Sequence, residues 1–597
     1  MKKILLHLLN LIKSIYKLLP IPRSLHLVIY KFIFSKLVGI KAFMRSEYYE
    51  QWLIQRGYNP KTLEMQRNHL FESMPKISIA VPMYNTNCLY FEVLINSLKD
   101  QTYSNWELCL ADGSDERNNQ IEELCNTDKR IKYLFLGGNK GISGNTNEAL
   151  KIATGDYIGF MDHDDFLPAF SLYEIVKFIN ENPDAQIMYS DETHYYEIKK
   201  KNVYSPHLKP CFSPDYLRTV NYICHFLIIK KELIKRIGEF KSEYDGSQDY
   251  DFTLRASELT DKIYHIPLIL YHWRIHGESY SKADITPSRL TGKKAIEDHL
   301  KRLGLKGTVH LSEISDFYNV EYDVLGNPSV SIIIPNKDQI NLLKNCIDSL
   351  KKLTTYSNYE IIIVENNSED KDTFDYYKEL EKYDNIRVLF YPEKGFNYSK
   401  LINYGVQNSK SDYIVQLNND TVLLTPNWLE LMLGFAQRPD VGAVGVRMYY
   451  PDMSNQHSGV AVPFTSDIPC GHVFVKLSKG DPGYMARLTT IMNYRAVTGA
   501  CLMCRRDLYE KAGGMDEQLV VAYNDADLCM KFLALGLVNV YNPNVEFMHY
   551  ESKSRKYDTT RKKKMLFRNE GEYFSQKWKE EIKNGDPYYS MEIDKVY

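Results

Sequence analysis

The chain reads as an α/β protein built from two tandem copies of one domain, each a mostly parallel, Rossmann-like sheet, behind an amphipathic helical N-terminal segment. Three observations predict this. Short β-branched runs alternate with helical stretches, the pattern of a doubly wound sheet. One ordered series of motifs occurs twice. And 597 residues are about four times the ~150 used by a typical single domain. Composition is ordinary for a globular protein, with 44% hydrophobic and 25% charged residues, which excludes a disordered or fibrous chain.

The N-terminal segment, residues 1–75, comes first. Residues 1–46 carry nine Lys/Arg and no Asp or Glu, so the net charge of −2 conceals a basic end and an acidic remainder. That balance excludes a generally cationic nucleic-acid binder, and no nucleic-acid partner is expected. At about 100° per residue, residues 2–19 sort into a lysine-bearing side and an apolar side, with only Leu6 misplaced. Such a helix suits the surface of an anionic membrane; it also suits packing against the protein's own core. Pro20 and Pro22 end it. No small-residue cleavage site follows, and no uncharged apolar run reaches the ~18 residues of a membrane span. The expectation is a peripheral protein at the cytoplasmic face of the inner membrane. Ten cysteines without framework spacing fit reduced thiols, and Cys501-x-x-Cys504 lacks a second pair to complete a zinc site.

The first copy spans 76–280 and the second 329–556. Lys76–Asn85 (KISIAVPMYN) returns as Ser329–Asp338 (SVSIIIPNKD), and the acid-ended strand Leu108–Ser114 (LCLADGS) as Ile361–Ser368 (IIIVENNS). Gly155–Asp164 (GDYIGFMDHD) returns as Ser411–Asp420 (SDYIVQLNND), and Gln248–Asp251 (QDYD) as Asn524–Asp527 (NDAD). In such sheets ligands bind beyond the carboxyl ends of the strands. Tyr84-Asn85, Asp112 and Asp162-His163-Asp164 all follow apolar strands, so they should converge on one crevice. Residues 281–328 read as a connector, and 557–597 as a basic helical tail.

Asp162-His163-Asp164-Asp165 either caps the next helix or holds a hard cation such as Mg²⁺ or Mn²⁺; in copy two only Asp420 remains, after Asn418-Asn419. Asp249 and Asp251, matched by Asp525 and Asp527, are helix N-caps or include a general base. A histidine follows each pair at near-constant distance, His272 and His549, a candidate divalent-cation ligand. Arg274 and Arg555 are candidate phosphate contacts or surface residues. The run from Lys553 to Arg568 holds eight Lys/Arg opposed only by Asp558, a solvated face or an anionic-lipid contact.

In their duplicated order these residues resemble tandem family-2 glycosyltransferases of the GT-A fold, especially bacterial enzymes of polysaccharide, O-antigen or capsule biosynthesis. The resemblance implies inverting transfer from UDP- or dTDP-sugars to an acceptor hydroxyl, here on a growing lipid-linked glycan. It implies nucleotide binding by Pro82, Tyr84, Asn85, Asp112 and Arg274 in copy one, and by Pro335, Glu365 and Arg555 in copy two. It implies Mg²⁺ or Mn²⁺ held by Asp162, Asp164 and His272, and by Asp420 and His549, with Asp249 and Asp525 as catalytic bases. Asn418 and Glu365 depart from the family pattern. The rival readings are one active copy beside a degenerate acceptor-binding copy, and a non-catalytic nucleotide- or glycan-binding scaffold.

Overall fold

The computed structural model describes residues 45–198, 200–276, 286–312, 317–550 and 561–597. The amphipathic helix expected over residues 2–19 and Arg555 lie outside them. Two large sheets form, one per copy. The first contains β1 (Ile77–Met83), β2 (Trp106–Asp112), β3 (Ile131–Phe135), β4 (Tyr157–Phe160), β5 (Ile187–Ile198), β6 (Lys201–His207), β7 (Leu227–Lys230) and β8 (Ile263–Arg274), in the order β3-β2-β1-β4-β7-β5-β6 with β8 beside β5. β1 to β4 are parallel, and β7 runs antiparallel between β4 and β5.

A hairpin of β9 (Gly307–Leu311) and β10 (Tyr318–Tyr322) separates the copies. The second sheet repeats the first with β11 (Val330–Asn336), β12 (Tyr359–Glu365), β13 (Ile386–Phe390), β14 (Tyr413–Leu417), β15 (Thr421–Leu423) and β16 (Val441–Tyr449). After the short β17 (Asn455–His457), β18 (Val460–Ala461), β19 (Gly471–His472) and β20 (Met492–Tyr494), it closes with β21 (Cys501–Arg505) and β22 (Val538–His549). Its order, β13-β12-β11-β14-β21-β16-β22-β15, reproduces the first, with β21 for β7, β16 for β5 and β22 for β8. The central strands β1, β2, β11 and β12 are near-continuous apolar runs because helices cover both of their faces.

The repeat extends past the expected domain ends. Helix Thr286–Arg302 follows β8 and helix Arg561–Lys577 follows β22, 275 positions later and of equal length. Each clamps the helix that carries the late aspartate of its copy. In copy one, Ser247 Oγ donates to Ser288 O (2.8 Å) and Tyr244 Oη to Asp298 (2.6 Å). In copy two the buried Glu570 carboxylate accepts the backbone N–H groups of Val520, Val521 and Ala522 at 3.0, 3.3 and 2.7 Å. The helices that open the stretches read from sequence as a connector and a tail are therefore equivalent parts of the two repeats.

The described part of the N-terminal segment packs on the protein. Tyr49 and Trp52 are buried, Tyr48 Oη donates to Glu592 (2.8 Å), and Gln66 Nε2 to Glu174 (3.2 Å). Over residues 45–75 this corrects the expectation of a membrane segment: the aromatic side chains have apolar protein surface to bury against. Among the described residues no helix is long and apolar enough to cross a membrane.

The copies meet over a polar, buried seam. Asp215 binds Arg438 through both guanidinium nitrogens and accepts from Asn493 Nδ2 at 2.8 Å. Arg487 Nη2 donates to Leu208 O (2.6 Å), and Tyr484 Oη receives the Leu208 N–H (2.8 Å).

Candidate active site

Each copy builds the same rim at the ends of its first two strands. Asp112, the last residue of β2, is buried; its Oδ1 accepts from Ser114 N (2.9 Å) and Oγ (2.6 Å), and its Oδ2 from Tyr133 Oη (2.7 Å). Ser114 Oγ in turn receives the N–H of Asn85, which adopts the left-handed region at φ 48°. Glu365 ends β12 in the same way. It accepts from Ser368 N and Oγ, and from Tyr377 Oη at 2.5 Å. Ser368 Oγ receives the N–H of Asp338, at φ 50°. The longer glutamate reaches a tyrosine on helix Lys371–Leu380, whereas the aspartate reaches one on β3. Both carboxylates are anchored by hydroxyl donors at the rim of their own sheet, and in copy one Tyr84 at that rim is 42% exposed.

Gly113 stands against Asn145, whose Nδ2 donates to Met83 O at 3.2 Å. An added Cβ would lie 2.5 Å from that nitrogen, so a side chain here would push Asn145, on helix Gly141–Ile152, off its bond to Met83.

Asp162, His163, Asp164 and Asp165 follow β4. A small cavity of about 50 Å³ beside them is lined by Pro82, Asp162, Cys224, His225 and Asp249 among others, so the early and late aspartates of copy one face the same space. Asp249 sits in the first turn of helix Gln248–Ser257, its Oδ2 accepting from Asn221 Nδ2 (2.7 Å) and lying 3.6 Å from Cys224 Sγ. Asp251 turns inward instead, is fully buried and pairs with Arg255 at 2.8 Å. Asp527 does likewise in copy two, held by Trp578 Nε1 (2.9 Å) and Lys577 (2.7 Å). The second acid of each pair is structural.

Pro335 takes the place of Pro82, near the end of β11. In copy two, Asp525 Oδ2 accepts from Gly499 N (2.8 Å). Tyr398 Oη donates to Gly499 O (3.1 Å) and to Asn418 Oδ1 (3.3 Å), linking the two motifs. His549 Nε2 lies 3.0 Å from Asp420 Oδ1, and its Nδ1 2.8 Å from Gln456.

His272 does not play the part of His549. Its Nδ1 meets Thr193 Oγ1 at 2.7 Å and its Nε2 meets Tyr49 Oη at 3.2 Å, on the buried side of β8. The strand register gives the reason. Thr193 pairs with His272, and Tyr449, 256 positions on, pairs with Met548. His549 is thus the counterpart of Trp273, and the spacings from Asp249 and Asp525 differ by the one residue that turns a strand side chain to the other face. The histidine that reaches the motif in copy one is His276, 2.8 Å from Asp164; His225 Nε2 lies 3.6 Å from Asp162. His225 carried no sequence signal, because it has no counterpart histidine in copy two.

Burial pushes the His272 imidazole down to about 3. A histidine neutral in the fold and ordinary in the unfolded chain stabilises the protein fully above about pH 6.5, and that contribution is lost as pH falls toward 3. The expected slope is about 1.4 kcal/mol per pH unit in that window. Comparing pH-dependent unfolding of His272→Gln with the parent checks it: the variant should lack that slope.

Arg274 is buried rather than at the surface. Its guanidinium lies against Tyr90, Phe166 and Tyr195, Nε donates to Asp164 O (2.7 Å), and among the described residues Nη2 has no hydrogen-bond partner. A free donor beside the acidic motif fits a phosphate oxygen. Asp165 is fully buried, accepts from Tyr271 Oη (2.5 Å) and Arg274 N (2.7 Å), and is raised well above the usual carboxylate range by burial and by Asp164 and Asp162. Ligand atoms of Asp162, Asp165 and His225 all lie within 4.8 Å of one another. Crowded carboxylates with one imidazole are the donor set of a hard or borderline divalent cation, so the residues fit Mg²⁺ or Mn²⁺.

The glycosyl transferase family 2 model matches residues 78–238 and 331–513. An uncharacterized protein, y4gI, of Sinorhizobium fredii is 37% identical over 516 residues, covering 85% of this chain and 56% of that protein. The O-antigen biosynthesis protein RfbC of Myxococcus xanthus is 32% identical over 518 residues, covering 85% and 40%. The chain thus spans roughly half the length of these relatives. Among solved structures, S. aureus TarS 1–349 in complex with UDP-GlcNAc aligns with a TM-score of 0.32 and 22% identity, over 38% of this chain and 66% of that one.

Proposed function

The chain belongs to glycosyl transferase family 2, and from that premise we propose that each copy transfers a sugar, with inversion, from a UDP- or dTDP-sugar to a growing lipid-linked cell-surface polysaccharide. The observation that carries this is the cavity shared by Asp162 and Asp249, with the Asp112 rim at the neighbouring strand ends. The O-antigen name of the Myxococcus relative supports the polysaccharide class.

The anchored carboxylates of Asp112 and Glu365 accept from the base of the nucleotide. Arg274 offers its free N–H to the diphosphate. Asp162 with His225, and Asp164 beside them, would hold the divalent cation in copy one, and Asp420 with His549 in copy two. When bound, that cation supplies Lewis-acid neutralisation of the departing diphosphate. Asp249, and Asp525 in copy two, take the proton from the acceptor hydroxyl as it attacks the anomeric carbon from the face opposite the leaving group. Aromatic and apolar walls around Asp249 limit water and so hydrolysis of the donor. The protein acts at the cytoplasmic membrane face, where its basic end meets anionic lipid.

A panel of nucleotide sugars, assayed for metal-dependent donor hydrolysis and for transfer with and without EDTA, tests this. Turnover of one or two donors, lost with EDTA, is expected. Turnover of none, or turnover indifferent to EDTA, overturns it. The second reading, in which copy two positions the glycan without catalysis, is favoured by Asn418 at the first motif carboxylate and predicts one linkage only.

A further inference from the structure

The clamp helices are equivalent, but their surroundings differ. In copy one the outer face of helix Thr286–Arg302 is covered by the hairpin that follows it. Gly292 stands so close to Tyr318 that an added Cβ would lie 2.0 Å from its hydroxyl, and Arg289 Nη2 donates to Ser312 O at 2.7 Å. Phe567 is the residue 275 positions after Gly292. It packs at a tilt on Tyr523 (ring centroids 5.1 Å) yet stays 54% exposed, and Met565 is 61% exposed. Among the described residues no hairpin covers this face.

The first two turns, Arg561 to Arg568, read RKKKMLFR: five basic residues, no acid, and three apolar residues between them. Lys564 and Arg568 are exposed beside Met565 and Phe567. Cationic heads flanking an exposed aromatic are the pattern that binds the headgroup region of an anionic bilayer, where the charges meet lipid phosphates and the ring enters the acyl boundary. We propose that these two turns are a docking surface for an anionic lipid bilayer, taking the place of the hairpin that covers the same face in copy one. The surface lies next to the copy-two site. Phe567 rests on Tyr523, two residues before Asp525, and one turn further along Glu570 grips the backbone of 520–522. Docking there would bring the Asp525 site to the height of a glycan carried on lipid. This rests on the membrane-facing part of the proposed function and not on its chemistry.

Hydrogen exchange of the full chain tests it, with vesicles of phosphatidylcholine alone and of phosphatidylcholine with about 30% phosphatidylglycerol, anionic lipid being the attracting component. Exchange in peptides spanning 561–570 should slow several-fold on the anionic vesicles only, and Lys564→Glu/Arg568→Glu should abolish that slowing. Protection without vesicles would mean that another part of this chain or a second copy covers the face, and would overturn the proposal. So would protection on both lipids, on neither, or in the charge-reversed variant. Donor hydrolysis without vesicles should be unchanged in the variant, so a failure of the transferase reading shows separately.

Discussion

Asp249→Asn should lower transfer by copy one about 10²–10⁴-fold, the usual contribution of a positioned general base, with nucleotide-sugar affinity little changed. The amide keeps the shape of the side chain and its place beside Asn221, but it cannot take a proton. In the proposed mechanism the donor contacts come from strand ends, Asp112 and the Asp162–Asp164 motif, so binding should survive. Asp525→Asn should do the same for copy two, where the carboxylate accepts from the N–H groups of Gly499 and Ala526 at 2.8 Å each. Linkage analysis of the products decides between one site and two. Loss of a different linkage in each variant supports two transferases. A product unaffected by Asp525→Asn assigns copy two to acceptor binding, and one unaffected by Asp249→Asn removes the base role from copy one.

Asp215→Ala should destabilise the contact between the copies by about 3–5 kcal/mol, the cost of leaving one member of a buried ion pair alone. Asp215 and Arg438 are 1% and 3% exposed at the side chain, and Arg438 holds the Asp215 carboxyl below the usual carboxylate range. Without the aspartate, Arg438 keeps Asp440 and the Tyr322 hydroxyl, while Arg218 loses its 3.4 Å ion pair and the Asn493 amide loses an acceptor. A two-domain chain need not unfold in one step, so the sharpest readout is denaturant unfolding followed by probes in each copy. The parent should unfold cooperatively and the variant in two separated transitions. The double variant Asp215→Ala/Arg438→Met should recover part of the loss, because one of the two guanidinium charges left without Asp215 is gone. A shift under about 1 kcal/mol in Asp215→Ala would place the tie between the copies elsewhere.

Much of the site was legible because its acids sit at strand ends, and a strand-end acid repeated in order stands out from composition. Asp112, Glu365, Asp162 and Asp164 stand out that way, and Asp249 and Asp525 by their repeat in the first turn of a helix. The supporting hydroxyls were not. Tyr133 and Tyr377 do the same work from a strand and from a helix, so no repeat links them. His225 comes from the segment before β7, and Tyr398 from the first turn of helix Tyr398–Gln407, both far in sequence from the groups they meet. Asp251 and Asp527 looked like partners of the bases, but helical geometry turns residues two apart to different sides.

By itself, the sequence determined the duplication, the alternation of strands with helices, and which carboxylates end their strands, since local periodicity and order are written along the chain. Tertiary structure decided which histidine faces each motif, because a single-residue change of spacing reverses the direction of a side chain on a strand. It also decided that the helices of the connector and the tail are the same clamp, one under a hairpin and one with no such cover among the described residues, because that depends on what packs across a helix rather than on the helix itself.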